Sequence, residues 1–473
     1  MKEKQLIEQY FQDHKDAFIE HIRRLVQIRS TKGEARPQMP FGEGPARALD
    51  ETLVIAQQLG LLTNNIDYYV GTISINEQET KLGILGHVDV VGEGSNWSFD
   101  PYEAIVKDGK MYGRGTSDDK GPVIAAMYAL AAIKDLGIPL AYNTKLIVGT
   151  DEESGCEDIE YYFKKEQAPP YVFTPDAEFP VINIEKGAIR TAFRAQVQPT
   201  KQLPRVRSIN GGYKVNVVPP EADAVIEGLT VDELAHYVQG VTAATSVQFE
   251  CSEQGEGAVA IHAIGEGGHA STPESANNAI TALLTLIAAL PLSESEGHHM
   301  LKGVNSIFPH GDHGAEAAGL AMSDAESGSL TMNFSIIAYD GQSFEGYFDS
   351  RVPLCATEEN TCDVLEQKFA PYNLVLERDN FEPPHHTPAD SPFVKTLLHV
   401  YEQYTGLPGE CIAIGGGTYV HDIEGGVAFG PTMSGIDTRM HSNDEFIIVD
   451  DLLLAAQIYA QVIVEICGEQ SKF

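Results

Sequence analysis

Apolar residues recur along the first part of the chain in patterns that predict alternating helices and strands. Residues 6–26 carry apolar side chains at helical spacing, which predicts one long amphipathic helix. Short apolar runs bounded by polar or glycine residues predict buried strands at 82–85, 145–149 and 171–173. The segment 123–133, VIAAMYALAAI, is apolar on nearly all sides and predicts a buried helix. Strands that alternate with helices are typical of an α/β domain with a mostly parallel sheet.

The pattern changes after residue 186, where strands with alternating polar and apolar residues follow one another and are interrupted by single helices. This predicts an α+β domain inserted at 187–384. Helical periodicity returns near residue 388. We therefore expect the first domain to comprise 1–186 and 385–473, with short crossings into and out of the insertion. A length of 473 residues is consistent with two domains.

Composition narrows the class of partners. The chain has 32 Lys+Arg against 68 Asp+Glu, and the resulting net charge of −36 argues against nucleic acid and anionic membranes. The N-terminus is charged and lacks the apolar core of a signal peptide, and the longest apolar run is too short to span a bilayer. The six cysteines are scattered without a C-x-x-C pair, which favours reduced thiols. Together these features predict a soluble, cytoplasmic protein.

Each predicted strand ends in residues that can bind a metal ion. His87 and Asp89 follow the first apolar run, Glu152 and Glu153 follow the second, and Asp176 follows the third. The carboxyl ends of parallel strands meet at one edge of an α/β sheet, where such proteins place their sites. His87 and Asp89 are two residues apart in an extended segment and share a face. The Asp89 carboxylate could then accept the spare N–H of the imidazole and fix its tautomer.

Two further candidates complete a metal constellation. Asp118 lies in the segment GRGTSDDKGP, and His441 lies near the C-terminus. Two imidazoles and three carboxylates suit a pair of zinc ions, with one carboxylate bridging and open positions for water and substrate. Glu152 is then a spare carboxylate beside a ligand, and it could act as the general base of a hydrolytic site.

Five motifs in a fixed order carry a family resemblance: GHVDVV, YGRGTSDDKGP, TDEESG, PDAEFP and MHSNDEF. In this order they resemble the aminoacylase/carnosinase-type dizinc metallopeptidase family. The large insertion and the sequences FTPDAEFPVINIEKG and IGGGTYV look most like the PepV-type bacterial dipeptidases, also called Xaa-His dipeptidases. The resemblance covers nearly the whole chain.

The resemblance implies a role for each ligand candidate. His87 and Asp176 would bind one zinc ion, and Glu153 and His441 would bind the other. The family's D-x-K-G pattern makes Asp118 the bridging ligand, and the peptide bond that follows it is typically cis. Cobalt or manganese can substitute for zinc in such a centre.

The resemblance also implies the groups that act on the substrate. Asp89 would orient His87, and Glu152 would be the general base. In the insertion, which the family uses as a lid, Asn216 and His269 would polarise the substrate carbonyl, and Arg351 would bind the free carboxylate of the substrate. Independently of the resemblance, the glycine-rich run 415–417 is expected to line the substrate end with its backbone N–H groups, and a simple tight turn is the alternative. The candidates there are Gly416, Gly417 and Thr418.

The expected function is therefore zinc-dependent hydrolysis of short unblocked peptides, mainly dipeptides. Two alternatives remain open: an N-acyl-amino-acid deacylase of the same family, and a peptide-binding protein on an inactive peptidase scaffold. PepV-like sequences usually carry a small residue and an arginine after GGGTY, whereas Val420 and His421 follow here, which leaves the side-chain preference open. An insertion of this size can supply His269 within one chain, which favours a monomer over a homodimer.

Overall fold

The structure of the protein is a computed structural model, and it describes residues 2–255, 257–378 and 380–473. Within these residues it contains eleven α-helices: α1 (Lys2–Asp13), α2 (Lys15–Val26), α3 (Glu43–Gln58), α4 (Lys120–Asp135), α5 (Glu157–Phe163), α6 (Val231–Thr245), α7 (Ala279–Ala289), α8 (Glu296–Ile307), α9 (Cys362–Phe369), α10 (Pro392–Thr405) and α11 (Val449–Cys467). Short 3₁₀ helices occupy Glu152–Ser154, Pro273–Ser275 and Ala370–Tyr372.

The described residues also form 27 strands, several of them only two residues long: β1 (Leu62–Ile66), β2 (Val70–Ser74), β3 (Thr80–His87), β4 (Ile105–Lys107), β5 (Lys110–Tyr112), β6 (Asn143–Gly149), β7 (Tyr171–Thr174), β8 (Ala177–Glu178), β9 (Val181–Glu185), β10 (Gly187–Gln196), β11 (Arg205–Gly211), β12 (Val217–Val218), β13 (Glu221–Glu227), β14 (Gln248–Glu253), β15 (Ala258–Ile264), β16 (Gly268–His269), β17 (Ser323–Asp324), β18 (Gly328–Ser329), β19 (Thr331–Tyr339), β20 (Ser343–Val352), β21 (Val375–Leu376), β22 (Phe381–Glu382), β23 (His385–His386), β24 (Cys411–Ile414), β25 (Val427–Ala428), β26 (Pro431–Thr432) and β27 (Phe446–Ile448).

The chain divides into two compact units. The first comprises Met1–Ile184, His386–Ile412 and Gly417–Phe473, and the second comprises Glu185–His385 and Ala413–Gly416. The sequence analysis assigned 413–416 to the first domain together with the rest of the C-terminal segment. Its periodicity gave no sign that residues 413–416, at the start of the IGGGTY region, belong to the second unit.

The first unit is built on a mixed sheet whose strands run in the order β1-β2-β6-β3-β7-β25-β9. The central strands β6, β3, β7 and β25 are parallel to one another. The flanking pairs β1–β2, β2–β6 and β25–β9 are antiparallel. The three apolar runs that predicted buried strands correspond to β3, β6 and β7, so their carboxyl ends lie at the same edge of the sheet.

Helix α4 forms the centre of the helical layer of the first unit. Every residue from Lys120 to Ile133 is buried, as the apolar sequence predicted. The helix packs against α2, α11 and strand β3. The predicted single helix at residues 6–26 is wrong, because α1 and α2 are separated at His14. The imidazole there stacks on Tyr10 with ring centroids 4.0 Å apart, and its Nδ1 lies 2.8 Å from the Tyr10 carbonyl oxygen.

The second unit has its own sheet and its own core. Its strands run in the order β14-β15-β13-β11-β19-β20-β10-β21, with β22 also paired to β10. Adjacent strands are antiparallel throughout this path. Phe193 of β10 lies at the centre of an aromatic cluster that fills the core: Phe308, Phe334, Phe344 and Phe369. The antiparallel sheet with a few helices agrees with the α+β pattern of the sequence.

Among the residues described, no helix combines the length and the apolar character that a bilayer crossing requires.

Candidate metal centre

The predicted ligands of the first unit come together because the strands that precede them are parallel. His87 is the last residue of β3, and it is in register with Gly149 at the end of β6. The turn after β6 carries Glu152 and Glu153, and Asp176 follows β7 by two residues. The remaining ligands lie on neighbouring loops, Asp118 just before α4 and His441 between β26 and β27.

The Asp118 carboxylate lies between the two imidazoles. Its Oδ1 is 3.0 Å from His87 Nε2, and its Oδ2 is 2.9 Å from His441 Nε2. Asp176 Oδ2 lies 3.5 Å from His87 Nε2, and Glu153 Oε2 lies 3.0 Å from His441 Nε2. Among the described residues, two groups have ligand atoms within 4.8 Å of one another: His87, Glu152 and Asp176, and Asp118, Glu153 and His441.

The ligand atoms have the environment of a metal site. His87 Nε2 and Asp118 Oδ1 are both buried, and neither makes a hydrogen bond although they lie only 3.0 Å apart. Buried polar atoms are nearly always hydrogen-bonded, so atoms that converge without that geometry indicate a missing common partner. Imidazole nitrogens and carboxylate oxygens are the donors that zinc and related divalent metals take. The residues therefore fit a pair of such ions.

Charge is strongly concentrated around these atoms. Burial lowers the pKa of His441, but the Asp118 and Glu153 carboxylates outweigh it and raise the value to about 11. Burial likewise opposes protonation of His87, but the neighbouring carboxylates of Asp118 and Asp176 outweigh it and raise its pKa well above the usual value. Burial, followed by the charge of Asp118, raises the pKa of Glu153 to about 7. Positive charge beside these buried carboxylates would therefore stabilise their ionised form.

His87 is oriented mainly by a backbone carbonyl, which differs from the expectation that the Asp89 carboxylate holds it. Its Nδ1 lies 3.1 Å from the carbonyl oxygen of Asp89 and 3.4 Å from the carboxylate Oδ1 of that residue. The Asp89 carboxylate instead accepts the backbone N–H groups of Glu152 and Glu153, at 3.2 and 3.1 Å. Asp89 therefore contacts both the ligand on β3 and the turn after β6.

Glu152 lies beside the ligands without an ion pair of its own in the described part of the chain. Its carboxylate belongs to the group formed with His87 and Asp176. Burial raises the pKa of Glu152 well above its usual value; the nearby His87 opposes this rise, and Asp176 and Glu153 add to it. A carboxylate with a raised pKa beside a metal pair suits a group that accepts and returns a proton.

Several residues that support the site were missed by the sequence analysis. The peptide bond between Asp118 and Asp119 is cis, as the resemblance implied. Asp119 Oδ2 accepts the backbone N–H of His87 at 3.0 Å. Asp158 Oδ2 accepts the backbone N–H of Asp151 at 2.8 Å and the Tyr419 hydroxyl at 2.5 Å. Asp119 and Tyr419 lie within quoted motifs, and Asp158 follows one closely. Nothing in the sequence distinguished the two aspartates from surface carboxylates.

In the second unit, the structure brings Asn216 and His269 together. Strand β12 pairs with β16 so that Val217 faces His269, and the Asn216 carbonyl oxygen accepts the Ala270 N–H at 3.0 Å. His269 Nδ1 accepts the Ser271 backbone N–H at 3.2 Å. The same Nδ1 lies 2.7 Å from Ser271 Oγ. In the tautomer in which Nδ1 accepts both groups, the ring proton is on Nε2, which can then act as a donor. Asn216 Oδ1 is buried and makes no hydrogen bond.

Arg351 lies in the same unit but is already paired. Its Nε and Nη2 donate to the two carboxylate oxygens of Asp349 at 2.6 and 2.9 Å, and Nη1 donates to the Gly415 carbonyl. The side chain is only 4% exposed. The sequence analysis assigned Arg351 to the substrate carboxylate. In the structure Asp349 occupies the Nε/Nη2 face of the guanidinium, and only the remaining N–H groups could bind a substrate.

The glycine-rich segment is divided by the unit boundary, with Gly416 in the second unit and Gly417 and Thr418 in the first. A Cβ atom at Gly416 would come no closer than 4.0 Å to its nearest neighbour. The Thr418 carbonyl accepts the His421 N–H at 3.0 Å. A substrate-binding role for these three residues stays a prediction.

Comparisons with known proteins agree with this geometry. A family model described as "Peptidase family M20/M25/M40" matches residues 83–465. The chain is 36% identical over 459 residues to a Bacillus subtilis (strain 168) protein named "Putative dipeptidase YtjP", covering 96% of this chain and 97% of that one. It is 32% identical over 464 residues to the "Beta-Ala-Xaa dipeptidase" of Lactobacillus delbrueckii subsp. lactis, with 96% and 97% covered.

Solved structures share the fold. Human carnosine dipeptidase 1 matches with a TM-score of 0.60 and 17% identity, over 98% of each chain. The aminoacylhistidine dipeptidase of Vibrio alginolyticus matches with a TM-score of 0.56 and 12% identity, over 95% of this chain and 96% of that one. At these identities the similarity supports the fold alone, and it confirms the predicted α/β architecture with an α+β insertion.

Removal of metal should destabilise the protein, because metal ions that bind only the folded chain stabilise it by mass action. We expect the melting temperature of the chelator-treated protein to rise when zinc is restored. A ligand concentration of 100 times Kd corresponds to about 2.7 kcal/mol of stabilisation.

Asp118→Asn serves as the matched comparison, since it retains the shape of the bridging candidate and removes its charge. The zinc-dependent rise in melting temperature should be much smaller in this variant. Equal rises in the wild type and the variant, or no rise in either, would contradict the assignment of Asp118 to the metal centre.

Proposed function

Because the chain belongs to peptidase family M20/M25/M40, we propose that it is a metal-dependent dipeptidase that hydrolyses the peptide bond of short unblocked peptides. Family membership confirms the resemblance carried by the five ordered motifs. The observation that carries the proposal is the convergence of two ligand groups at the ends of parallel strands, with Asp118 facing both imidazoles. The identity to a protein named Beta-Ala-Xaa dipeptidase supports dipeptides as the substrate class.

The two ligand groups would hold two metal ions. We assign His87 and Asp176 to one ion, Glu153 and His441 to the other, and Asp118 to both. Zinc is the metal we propose, with cobalt or manganese as substitutes, because the donor set combines imidazole with carboxylate. Ions bound there would polarise the scissile carbonyl and make a water molecule more acidic.

The proton transfers of the reaction are assigned to Glu152. Its carboxylate would accept a proton from the attacking water as the new C–O bond forms at the carbonyl carbon. The same carboxyl group would then return that proton to the amine nitrogen as the C–N bond breaks. The raised pKa of Glu152 favours this cycle, because a group that accepts a proton and then returns it needs a pKa closer to neutral pH than that of an ordinary carboxyl group.

The second unit supplies the proposed substrate-binding groups. Asn216 and His269 would donate hydrogen bonds to the carbonyl oxygen of the substrate, as the family resemblance implies. Arg351 would contribute to binding the free carboxylate through the N–H groups that Asp349 and Gly415 leave available. We also propose that the enzyme acts in the cytoplasm, where its six free cysteines would stay reduced. A monomer rather than a homodimer stays a prediction.

The second candidate function is hydrolysis of N-acyl amino acids by the same metal centre. The acidic surroundings of the ligands favour a free substrate ammonium over a blocked nitrogen, which is why we prefer the dipeptidase. A non-catalytic peptide-binding role requires the loss of a ligand or of the general base. Every one of those positions is filled in this chain.

The neighbouring residues Glu152 and Glu153 provide a matched pair of variants. Glu152→Gln should retain metal but reduce kcat by about 10²–10⁴-fold, which is the usual contribution of a positioned acid–base group. Glu153→Gln should instead reduce the metal content, because it removes the charge of a proposed ligand. Metal analysis and steady-state kinetics on both variants measure these effects. The reverse pattern would mean that the two roles are exchanged.

A panel of free, N-acetylated and C-terminally amidated dipeptides, with a pentapeptide added, tests the substrate class. We expect ready hydrolysis of free dipeptides and little hydrolysis of the other peptides, because both charged ends of the substrate are proposed to be bound. Release of amino acids is measured directly by chromatography. Preference for the acetylated peptides would favour the deacylase, and equal rates on the pentapeptide would contradict a dipeptidase.

A further inference from the structure

Arg114 and Glu445 form an ion pair in the interior of the first unit. The Arg114 side chain is 1% exposed and the Glu445 side chain is 0% exposed. Nη1 of Arg114 lies 2.5 Å from Oε2 of Glu445. Burial of two charges is costly and is offset only when further hydrogen bonds satisfy the remaining donors and acceptors. The stability of the pair therefore depends on the hydrogen bonds made by its other atoms, among them Oε1 of Glu445 and Nη2 of Arg114.

The second oxygen of Glu445 fixes the backbone that leads into Asp118. Its Oε1 accepts the N–H groups of Gly115, Ser117 and Asp118 at 3.0, 3.0 and 3.3 Å. Three donors on one oxygen hold the chain immediately before the carboxylate that faces both imidazoles. A displacement of this backbone would move Asp118 relative to His87 and His441.

Arg114 extends the same connection to the loop that carries His441. Its Nη2 donates to the Ser442 carbonyl at 3.2 Å and to the Gly92 carbonyl at 3.4 Å. The loop is conformationally demanding, since Arg439, His441 and Asp444 all have φ between 56° and 60°. Left-handed φ values are uncommon for residues other than glycine and persist where the surroundings enforce them.

We propose that Arg114 and Glu445 are positioning residues that set the distance between Asp118 and His441, and thereby the affinity for a metal ion bound by both. Neither residue belongs to the ligand groups. The inference rests on the proposed function, because it concerns the same metal centre.

A purely structural role makes a different prediction. If the pair is purely structural, the loss of one partner lowers the free energy of unfolding, because it leaves a buried charge unpaired, but it does not change the metal affinity of the folded protein. A positioning role requires that the metal affinity of the folded protein changes as well. Groups that orient metal ligands typically contribute about 10–100-fold to metal affinity.

Two variants perturb the Arg114–Glu445 pair in different ways. Glu445→Gln retains the shape of the side chain but removes the charge opposite Arg114. Arg114→Lys retains the charge but loses the fork that reaches Glu445, Ser442 and Gly92 together. The matched control is Glu51→Gln, which breaks the ion pair of Glu51 Oε1 with Arg24 Nε, 2.7 Å apart, in helices of the same unit.

The experiment is competitive zinc titration of the metal-stripped full chain against a chromophoric chelator, with thermal unfolding of the metal-free protein in parallel. We expect Glu445→Gln to weaken one of two zinc sites by about 10–100-fold. Arg114→Lys should weaken the same site by a smaller factor, and Glu51→Gln should leave both affinities unchanged. If Glu445→Gln does not fold, Arg114→Lys decides the outcome.

Wild-type zinc affinities in the folded Arg114→Lys and Glu445→Gln variants would overturn the proposal, whatever their melting temperatures. Equal weakening in Glu51→Gln would also overturn it, because the effect would then reflect general destabilisation. A wild-type protein that binds two zinc ions but hydrolyses no dipeptide contradicts the proposed function instead, and the affinities of the variants still decide the positioning claim.

Discussion

The first unit depends on a concentration of buried carboxylates at one edge of its sheet. Burial makes the largest contribution to the raised pKa of Glu152 and of Asp119, and neighbouring carboxylates add to the rise. Carboxylates this close together must either bind protons or have positive charge beside them. Protonated imidazoles of His87 and His441 can supply that charge in the metal-free protein, whereas divalent ions would supply it when bound and would require neutral imidazoles. The same packing that forms the sheet therefore brings together the groups that fit a pair of divalent ions.

A second set of carboxylates holds the loops that carry the ligands. Asp119 accepts the N–H of His87, Asp89 accepts those of Glu152 and Glu153, and Glu445 accepts that of Asp118. Backbone N–H groups at the ends of strands lack ladder partners, so an acidic side chain that accepts them both satisfies and fixes the turn. The ligand geometry is therefore built on hydrogen bonds between acidic side chains and the backbone.

This arrangement places strict limits on neighbouring residues. A Cβ atom at Gly86 would lie 2.6 Å from Asp119 Oδ2, and one at Gly149 would lie 1.9 Å from the Tyr419 hydroxyl. Contacts below 3 Å force the surroundings to move, so a side chain at either position would displace the Asp119 carboxylate or the Tyr419 hydroxyl. The space at Gly86 lets Asp119 accept the backbone N–H of His87, and the space at Gly149 lets the Tyr419 hydroxyl donate to Asp158.

The sequence was sufficient to predict the elements whose residue pattern has one dominant physical cause. Continuous apolar runs predicted β3, β6, β7 and the buried helix α4, because full burial leaves no polar face. It was insufficient where a side chain has several possible partners or where the backbone changes locally. Arg351 pairs with Asp349, two residues away on β20, and with the Gly415 carbonyl, and the sequence does not reveal which partner the guanidinium takes. The break between α1 and α2 at His14 has no marker in the residue pattern. In the sequence Glu445 cannot be distinguished from a surface carboxylate, and only the structure shows that it accepts three backbone N–H groups.

The central claim is that Asp118 joins two metal ions at the edge of the first sheet. Crystallographic anomalous scattering at the zinc absorption edge, on protein grown with zinc, tests this claim most directly. The account predicts two peaks, one beside His87 and Asp176 and one beside Glu153 and His441, with one Asp118 oxygen bound to each. A single peak, or peaks that Asp118 does not contact, would contradict it.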